Sequence, residues 1–423
     1  MMKTVLAGQS DVRDGSPASK GSGKKDTAVE PVKGGLGLEP KKNAIQARLK
    51  EHPTPFFLAD RNVLLDRLAT LRAALEARWP TCVISYSFKT NYLVAESRIF
   101  QEQGVWAEAT SGWEYQLART LGYAGDRIIF NGPWKTDREL QQALDNGSLL
   151  HVNDQEELNR ILKLTASSGK MHPIGLRLST TIPQFGHSRF GFSMDRGEAS
   201  AAIKVVAGAK NLHLTGLHTH LHGDTDDPSC YRAVCRQMVA LLAEQPPSIR
   251  DALEYLDLGG GFPAKTPKPH SRKTWNPRGI DEYVQAIVEE LSAAFPAGRR
   301  PALIVEPGRY LVNDGISFVS RVVSLKQVES NRVITSNASL SMIPLTHYRP
   351  QVITAHSSDL VQRTGGEQPS IIHGASCREN DILFQGPFPA VETGDYLVHH
   401  GVGAYNSSMG SGFIFQPPPL LFI

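Results

Sequence analysis

The sequence predicts an α/β protein: a closed (β/α)8 barrel of the TIM type followed by a separate C-terminal β domain. From residue 61 onward, short apolar runs alternate with longer stretches of helical periodicity, which is the pattern of parallel strands joined by helical crossovers. Eight such runs fall within roughly 250 residues, and that density suits a closed barrel better than an open doubly wound sheet of five or six strands. After "EPGRYLVND" the texture becomes strand-rich, with no helical stretches between the apolar runs.

Taken in order, residues 1–42 are rich in Gly, Ser, Lys and Pro and poor in aromatics, so they cannot bury enough apolar surface to order themselves and are expected to form a disordered tail. Residues 43–60 form an N-terminal segment, expected to join the β domain. The barrel is assigned to residues 61–314 and opens with the helix "NVLLDRLATLRAALEARW". Its strands are read at "CVISYSF", "VWAEA", "RIIFN", "LLHVN", "IGLRLS", "LTGLHTHL", "LEYLDL" and "ALIVE". Helices are read at "ESRIFQEQ", "WEYQLARTL", "DRELQQALDN", "EELNRILKL", "CYRAVCRQMVALLAEQ" and "IDEYVQAIVEELSAAF". The β domain is assigned to residues 315–423, with strands at "ISFVSRVVSLKQV", "NRVITSN", "SIIHGA", "DILFQGPF" and "GDYLVHHG".

Composition narrows the function classes. Among 423 residues, 45 Lys and Arg nearly balance 42 Asp and Glu, so nothing in the charge points to a nucleic-acid or membrane partner. No apolar run has signal-peptide or membrane-spanning length. Four cysteines, Cys82, Cys230, Cys235 and Cys377, lack zinc-like spacing and are too few to staple such a chain, which fits a reducing cytoplasm. Cys82 is expected in the core, and Cys230 and Cys235 read as unreactive.

In barrels of this kind, chemistry gathers at the C-terminal ends of the strands. Those ends carry Lys89, Glu108, Asn131, Asn153, Arg177, His220, the turn Gly259, Gly260 and Gly261, and Glu306 with Arg309. An amine beside an apolar strand loses hydration, which lowers its pKa and frees the nucleophilic form. A stem that simply carries the charge to solvent is the competing reading. For Glu306 the competing reading is an ion pair with Arg309, and for Glu108 and Arg177 it is a structural salt bridge.

A lysine, a histidine able to stack, a glycine turn and a carboxylate together suggest pyridoxal 5'-phosphate. The lysine forms the Schiff base, the glycines let backbone amides approach the phosphate, and the acid keeps the pyridine nitrogen protonated. At this point the chain resembles the fold-type III pyridoxal-phosphate decarboxylases, which include ornithine, diaminopimelate and carboxynorspermidine decarboxylases with an alanine-racemase-like barrel. The motifs that carry the resemblance are "YSFKTN", "SRFGF", "GLHTHLHG", "LDLGGGFP", "EPGRYLV", "GASCREND" and "GVGAYNSSM". The resemblance implies that Lys89 holds the cofactor and His220 stacks on its ring. It further implies that Gly259, Gly260, Gly261, Arg309 and Tyr405 bind its phosphate, and that Glu306 meets its nitrogen. Cys377 is implied to act across a homodimer interface, in the partner's site.

The departures bear on substrate. His222 and Gly223 stand where the family has Gly-Ser, which removes one hydroxyl from the phosphate site. Relatives place an acid after the cysteine to receive a distal amine, whereas here Arg378 follows, and then Glu379. A guanidinium suits a carboxylate, so the substrate is expected to be an amino acid or amino-acid conjugate with a distal carboxylate, for instance one condensed with citrate in siderophore biosynthesis. If Glu379 faces the pocket instead, diaminopimelate, ornithine or lysine is expected. The alternatives are a pyridoxal-phosphate racemase, a metal-dependent barrel hydrolase, because His218, His220 and His222 alternate on one strand, and a non-catalytic regulator that keeps the fold, against which the retention of Lys89, Cys377 and Tyr405 argues. For His218 the simpler reading is a core histidine bonded to backbone.

Overall fold

A computed structural model describes residues 42–221, 223–265, 277–348 and 351–423. The expected tail lies outside these residues except for Lys42, which opens helix α1 (Lys42–Glu51) rather than closing a tail. His222 also lies outside them. The chain then forms β1 (Phe56–Ala59) and α2 (Arg61–Glu76), whose first amides are capped by the Asp60 carboxylate at 3.0 Å and 3.4 Å.

The barrel strands follow: β2 (Cys82–Ser87), β3 (Trp106–Ala109), β4 (Ile128–Phe130), β5 (Leu149–Val152) and β6 (His172–Ser179). A two-residue adjunct on β6, β7 (Phe192–Ser193), precedes β8 (Leu212–Thr219), β9 (Tyr255–Asp257) and β10 (Ala302–Val305). They pair in the order β5-β4-β3-β2-β10-β9-β8-β6, and β5 pairs with β6 to close an eight-stranded parallel barrel. Between them run α3 (Val94–Glu102), α4 (Gly112–Thr120), α5 (Asp137–Asp145), α6 (Gln155–Thr165), α7 (Glu198–Gly208), α8 (Ser229–Ala243), α9 (Pro247–Asp251) and α10 (Ile280–Ala294), and α11 (Arg309–Val312) follows β10. Side-chain caps from Ser111, Thr136 and Asp154 start α4, α5 and α6, which fixes where each strand-end loop turns back.

Helix α7 is an addition to the sequence reading. Its inward residues Ala199, Ala202, Ile203 and Val206 keep the helical period, but two are alanines and the N-cap is Gly197, so both the apolar and the capping signals are faint. Cys82, expected in the core, instead opens β2 half-buried, with burial and Glu76 pushing its thiol up to about 11.

The β domain comprises β11 (Ile316–Val328), β12 (Asn331–Ser336), the short helix α12 (Leu345–Tyr348), β13 (Val352–His356), β14 (Gln368–His373), β15 (Ile382–Phe388), β16 (Tyr396–His400) and β17 (Leu420–Phe422). Its sheet runs β13-β16-β11-β12-β14-β15, with β1 antiparallel to β11 and β17 parallel to β1. The N-terminal segment thus supplies a strand to the C-terminal sheet. One apolar core runs through barrel and sheet, and includes the edge-to-face pair Phe57 and Phe318 at 4.9 Å. Burial of each such side chain stabilises by about 1.5–3 kcal/mol, so sheet and barrel mouth are held as one body. The loop Gly403–Ser408 then closes on the turn after β2. Tyr405 N donates to Thr90 O at 2.7 Å, Asn91 Nδ2 to Gly403 O at 3.1 Å, and Tyr92 OH to Ser408 O at 2.8 Å.

Candidate active site

Lys89 sits in the single helical turn that ends β2, where strand geometry gives way and its side chain turns over the barrel mouth. Its ammonium donates to Ser87 Oγ at 2.9 Å and to Glu108 Oε2, and Ser87 Oγ donates to that same oxygen at 2.5 Å. The expectation that desolvation lowers the Lys89 pKa is overturned. Burial does pull it down, but the carboxylates of Glu108 and Glu306 outweigh burial and hold the amine above its ordinary value. One acid arrives from β3, the next strand, 19 residues on, and the other from the end of β10, far away in sequence.

Glu306 is buried at the end of β10. Its Oε1 accepts from Asn131 Nδ2 at 2.6 Å, while its Oε2 has no hydrogen-bond partner among the described residues. The expected alternative pairing with Arg309 does not occur: Arg309 Nε lies 3.4 Å from Asp224 Oδ1, with its guanidinium 5.1 Å from the centre of the Tyr405 ring. Tyr405 takes φ 64°, the left-handed region that a bulky residue adopts at a cost of about 1–3 kcal/mol.

The glycine turn lies against His220. Gly260 N donates to His220 Nδ1 at 3.0 Å, and the Gly259 carbonyl accepts from Glu306 N at 2.7 Å. Gly259 has φ 63°, and a Cβ on it would lie 2.6 Å from Thr219 O and 2.7 Å from His220 Nδ1. A Cβ on Gly260 would collide with the Glu306 carbonyl. Gly261 has φ 96°. Only glycine lets the backbone pass this close.

His218, expected as a core histidine bonded to backbone, is buried, but neither of its ring nitrogens has a hydrogen-bond partner among the described residues. Its ring stacks on His151 with centroids 4.6 Å apart, and its Nε2 lies 3.4 Å from Glu306 Oε2. Burial, then Arg177 and Lys89, hold His218 well below the usual histidine range, so it is neutral. Asp257 also lies close to Glu306, and burial, then the Glu306 carboxylate, hold it well above the usual carboxylate range. Donor atoms of His151, His218, Asp257 and Glu306 all lie within 4.8 Å of one another. Both nitrogens of His151, however, are already engaged, with Asn131 and Tyr255.

Arg177 lies over the Phe190 ring at 4.7 Å, with burial lowering its pKa against the pull of Glu306 and Glu108. The structure thus gathers Lys89, Glu108, Arg177, His220, Gly259, Gly260, Glu306, Arg309 and Tyr405 around the barrel mouth. Cys377, Arg378 and Glu379 are instead exposed, on the turn between β14 and β15, where Arg378 Nε donates to Asn380 Oδ1 at 3.2 Å. Sequence reading placed Asn131 at a strand end without giving it a role, and did not single out Ser87, His151, Asp224 or Asp257. The signal that finds most of them is a polar residue at an inward-facing strand position amid apolar neighbours.

The residues present fit pyridoxal phosphate: an amine, a buried acid with one oxygen left without a hydrogen-bond partner among the described residues, a turn that only glycine can make, and an arginine beside that turn. The family description "Pyridoxal-dependent decarboxylase, pyridoxal binding domain" matches residues 65–313, more than half of the chain. Diaminopimelate decarboxylase of Aquifex aeolicus is 26% identical over 375 residues, covering 86% of this chain and 85% of that relative. The crystal structure of Helicobacter pylori diaminopimelate decarboxylase complexed with L-lysine superposes with a TM-score of 0.77 at 21% identity, over 90% of this chain and 94% of that one. Vibrio vulnificus lysine/ornithine decarboxylase complexed with putrescine gives 0.75 at 21% identity, over 91% and 98%.

Proposed function

The chain belongs to the pyridoxal-dependent decarboxylases, and on that premise we propose that this barrel mouth removes the α-carboxylate of an amino acid that carries a second carboxylate at its far end. The enzyme is a carboxy-lyase that uses pyridoxal 5'-phosphate. The observation that carries the site reading is Glu306, buried with one oxygen held by Asn131 and the other without a hydrogen-bond partner among the described residues, and close enough to the Lys89 amine to help hold its charge.

Pyridoxal phosphate, when bound, supplies the electron sink for the pair released as the Cα–carboxylate bond breaks and carbon dioxide leaves. Lys89 is the residue that bonds it covalently. Glu108 and Ser87 orient the lysine nitrogen and hold its proton. Glu306 Oε2 holds the proton on the ring nitrogen, and the neutral His218 does not compete for it. Gly259, Gly260 and Gly261 would form the cradle for the phosphate, with the Gly259 amide turned to Asp257 Oδ1 at 2.8 Å and the Gly260 amide to His220 Nδ1 at 3.0 Å; Arg309 and Tyr405 would join Gly261 at the phosphate, and His220 would pack on the ring. Cys377 returns a proton to Cα.

Cys377 is exposed in its own chain, which suits a role in a second subunit's site, so the working unit is a homodimer. Mixing Lys89→Ala and Cys377→Ala chains restores activity in hybrid sites on this reading. No recovery, although the subunits exchange, refutes it. The four free thiols fit a cytoplasmic enzyme. Among the described residues no helix is long and apolar enough to cross a membrane.

Arg378 is the basis for the substrate. Diaminopimelate, named in the relatives and expected for its distal amine if Glu379 faces the pocket, also carries a distal carboxylate, as does a citrate-conjugated amino acid of siderophore assembly; ornithine and lysine carry none, so of the free diamino acids only diaminopimelate suits Arg378 as well as Glu379. The test is carbon dioxide release from ornithine, lysine, diaminopimelate and citryl-diaminopropionate by wild type and Arg378→Glu. The reading expects wild type to prefer the last two and the variant to lose that preference. A wild type that turns over ornithine or lysine as well, with the variant unchanged, removes Arg378 from substrate selection.

A further inference from the structure

Behind the two acids of the site runs a chain of buried hydrogen bonds that the mechanism above does not use. Asn131 Nδ2 donates to Glu306 Oε1 at 2.6 Å and to Glu108 Oε1 at 3.1 Å. Its other atom, Oδ1, lies 2.6 Å from His151 Nδ1, and His151 Nε2 lies 3.0 Å from Tyr255 OH. The direction of every bond follows from the first pair. An ionised carboxylate only accepts, so the amide nitrogen must face the acids and the amide oxygen must face His151. His151 therefore carries its proton on Nδ1, and its Nε2 accepts from the Tyr255 hydroxyl. Burial first, then His218, hold His151 well below the usual histidine range, which keeps this single tautomer neutral.

The barrel interior makes room for this chain. A Cβ on Gly216 would run into the Tyr255 ring, and one on Gly175 would strike the Tyr255 hydroxyl and lie 2.5 Å from His151 Cδ2. Both glycines lie in barrel strands, β8 and β6. Each acid has Oε1 tied to Asn131, which leaves Oε2 of Glu108 for Lys89 and Ser87 and Oε2 of Glu306 buried with no hydrogen-bond partner among the described residues.

We infer that Asn131, locked by His151 and Tyr255, is a positioning residue that aims both acids at once, Glu108 at the lysine nitrogen and Glu306 at the ring nitrogen of the cofactor. The inference rests on the cofactor reading of this site. A hydrogen bond to a charged group contributes about 1.5–3 kcal/mol, equivalent to roughly tenfold to a hundredfold.

The experiment loads wild type, Asn131→Leu, His151→Leu, His151→Asn and Tyr255→Phe with pyridoxal phosphate. It reads cofactor affinity, the visible circular dichroism of the bound cofactor, and kcat and KM on whichever panel amino acid wild type turns over. Asn131→Leu and His151→Leu are expected to lower kcat by roughly tenfold to a hundredfold, with KM little changed and the visible dichroism weakened. His151→Asn keeps a donor near the Nδ1 position and is expected to recover most of both signals, while Tyr255→Phe, which loses only a hydroxyl, falls between. Should the leucine variants fail to fold, Tyr255→Phe and His151→Asn decide: a Tyr255→Phe protein with wild-type dichroism and kcat overturns the inference. Leucine variants that fold with unchanged dichroism and kcat overturn it equally. A wild type that takes up no pyridoxal phosphate overturns the cofactor reading and the inference together, which separates the two failures.

Discussion

Replacing Glu306 with glutamine is expected to make the cofactor-free protein more stable and the enzyme far slower. Glu306 and Asp257 are both buried, with carboxylate oxygens within 4.8 Å. At an effective dielectric of about 20, two unit charges at that separation repel by about 3 kcal/mol, a cost the fold meets by keeping Asp257 protonated or by carrying the strain. Glutamine removes the charge yet keeps an Oε1 able to accept from Asn131, so up to about 3 kcal/mol should return to stability. Lys89 also loses one of the two carboxylates that hold its amine up, so its pKa should fall. Catalysis loses the negative oxygen that keeps the ring nitrogen protonated, a loss of about a hundredfold to a thousandfold in kcat. Scanning calorimetry of cofactor-free Glu306→Gln against wild type, with carbon dioxide release from the loaded proteins, reads both effects. A variant that is less stable and keeps kcat within about tenfold of wild type would refute the reasoning.

Three further outcomes follow from the same geometry. Gly260→Ala drives a Cβ into the Glu306 carbonyl, and is expected to cost about 1–3 kcal/mol and to weaken cofactor uptake; a urea midpoint and cofactor titration matching wild type would contradict the cradle. Lys135 is fully buried and donates to Glu157 Oε1 at 2.8 Å and to the carbonyls of Gly132 and His151, so Lys135→Met strands a buried carboxylate and should cost about 3–5 kcal/mol. The double variant with Glu157→Gln should recover part of that in urea unfolding, and a single variant within about 1 kcal/mol of wild type would count against it. Burial raises Glu96 from 4.5 to about 8, against the hydrogen bond from Tyr86 OH at 2.6 Å. Its folded pKa exceeds its unfolded one, so the stability it confers is present below about 4.5 and is lost as pH rises toward about 8. The Tm advantage of Glu96→Gln over wild type should therefore grow across that window and then level off, and a constant difference from pH 5 to pH 9 would argue against the buried neutral acid.

Much of this architecture can be read from the chain because the barrel repeats one local rule eight times. Each apolar run such as "CVISYSF" or "ALIVE" is long enough and bounded sharply enough to declare itself a strand, and strand ends in such a fold face the same mouth. Lys89, Glu306 and the glycine turn are legible for that reason. What escaped was non-local. β17 is only three residues long and directly follows a proline run, and its partner β1 lies at the far end of the chain. β13 is half-buried, with alternation too short to stand out. The Lys89 pKa ran opposite to expectation because local sequence reports an apolar strand and not the acids that β3 and β10 bring to it. His151 escaped because one histidine in "LLHVN" looks like any core histidine until Asn131, from the end of the adjacent β4, and Tyr255, from the non-adjacent β9, fix its two nitrogens.

The central claim is that Lys89 carries pyridoxal phosphate. Borohydride reduction of the loaded protein, followed by proteolysis and mass spectrometry, tests it most directly. The account predicts loss of the yellow colour and a single peptide bearing the reduced cofactor at Lys89, absent from Lys89→Ala. The cofactor fixed at another lysine, or the same labelling in Lys89→Ala, would contradict it.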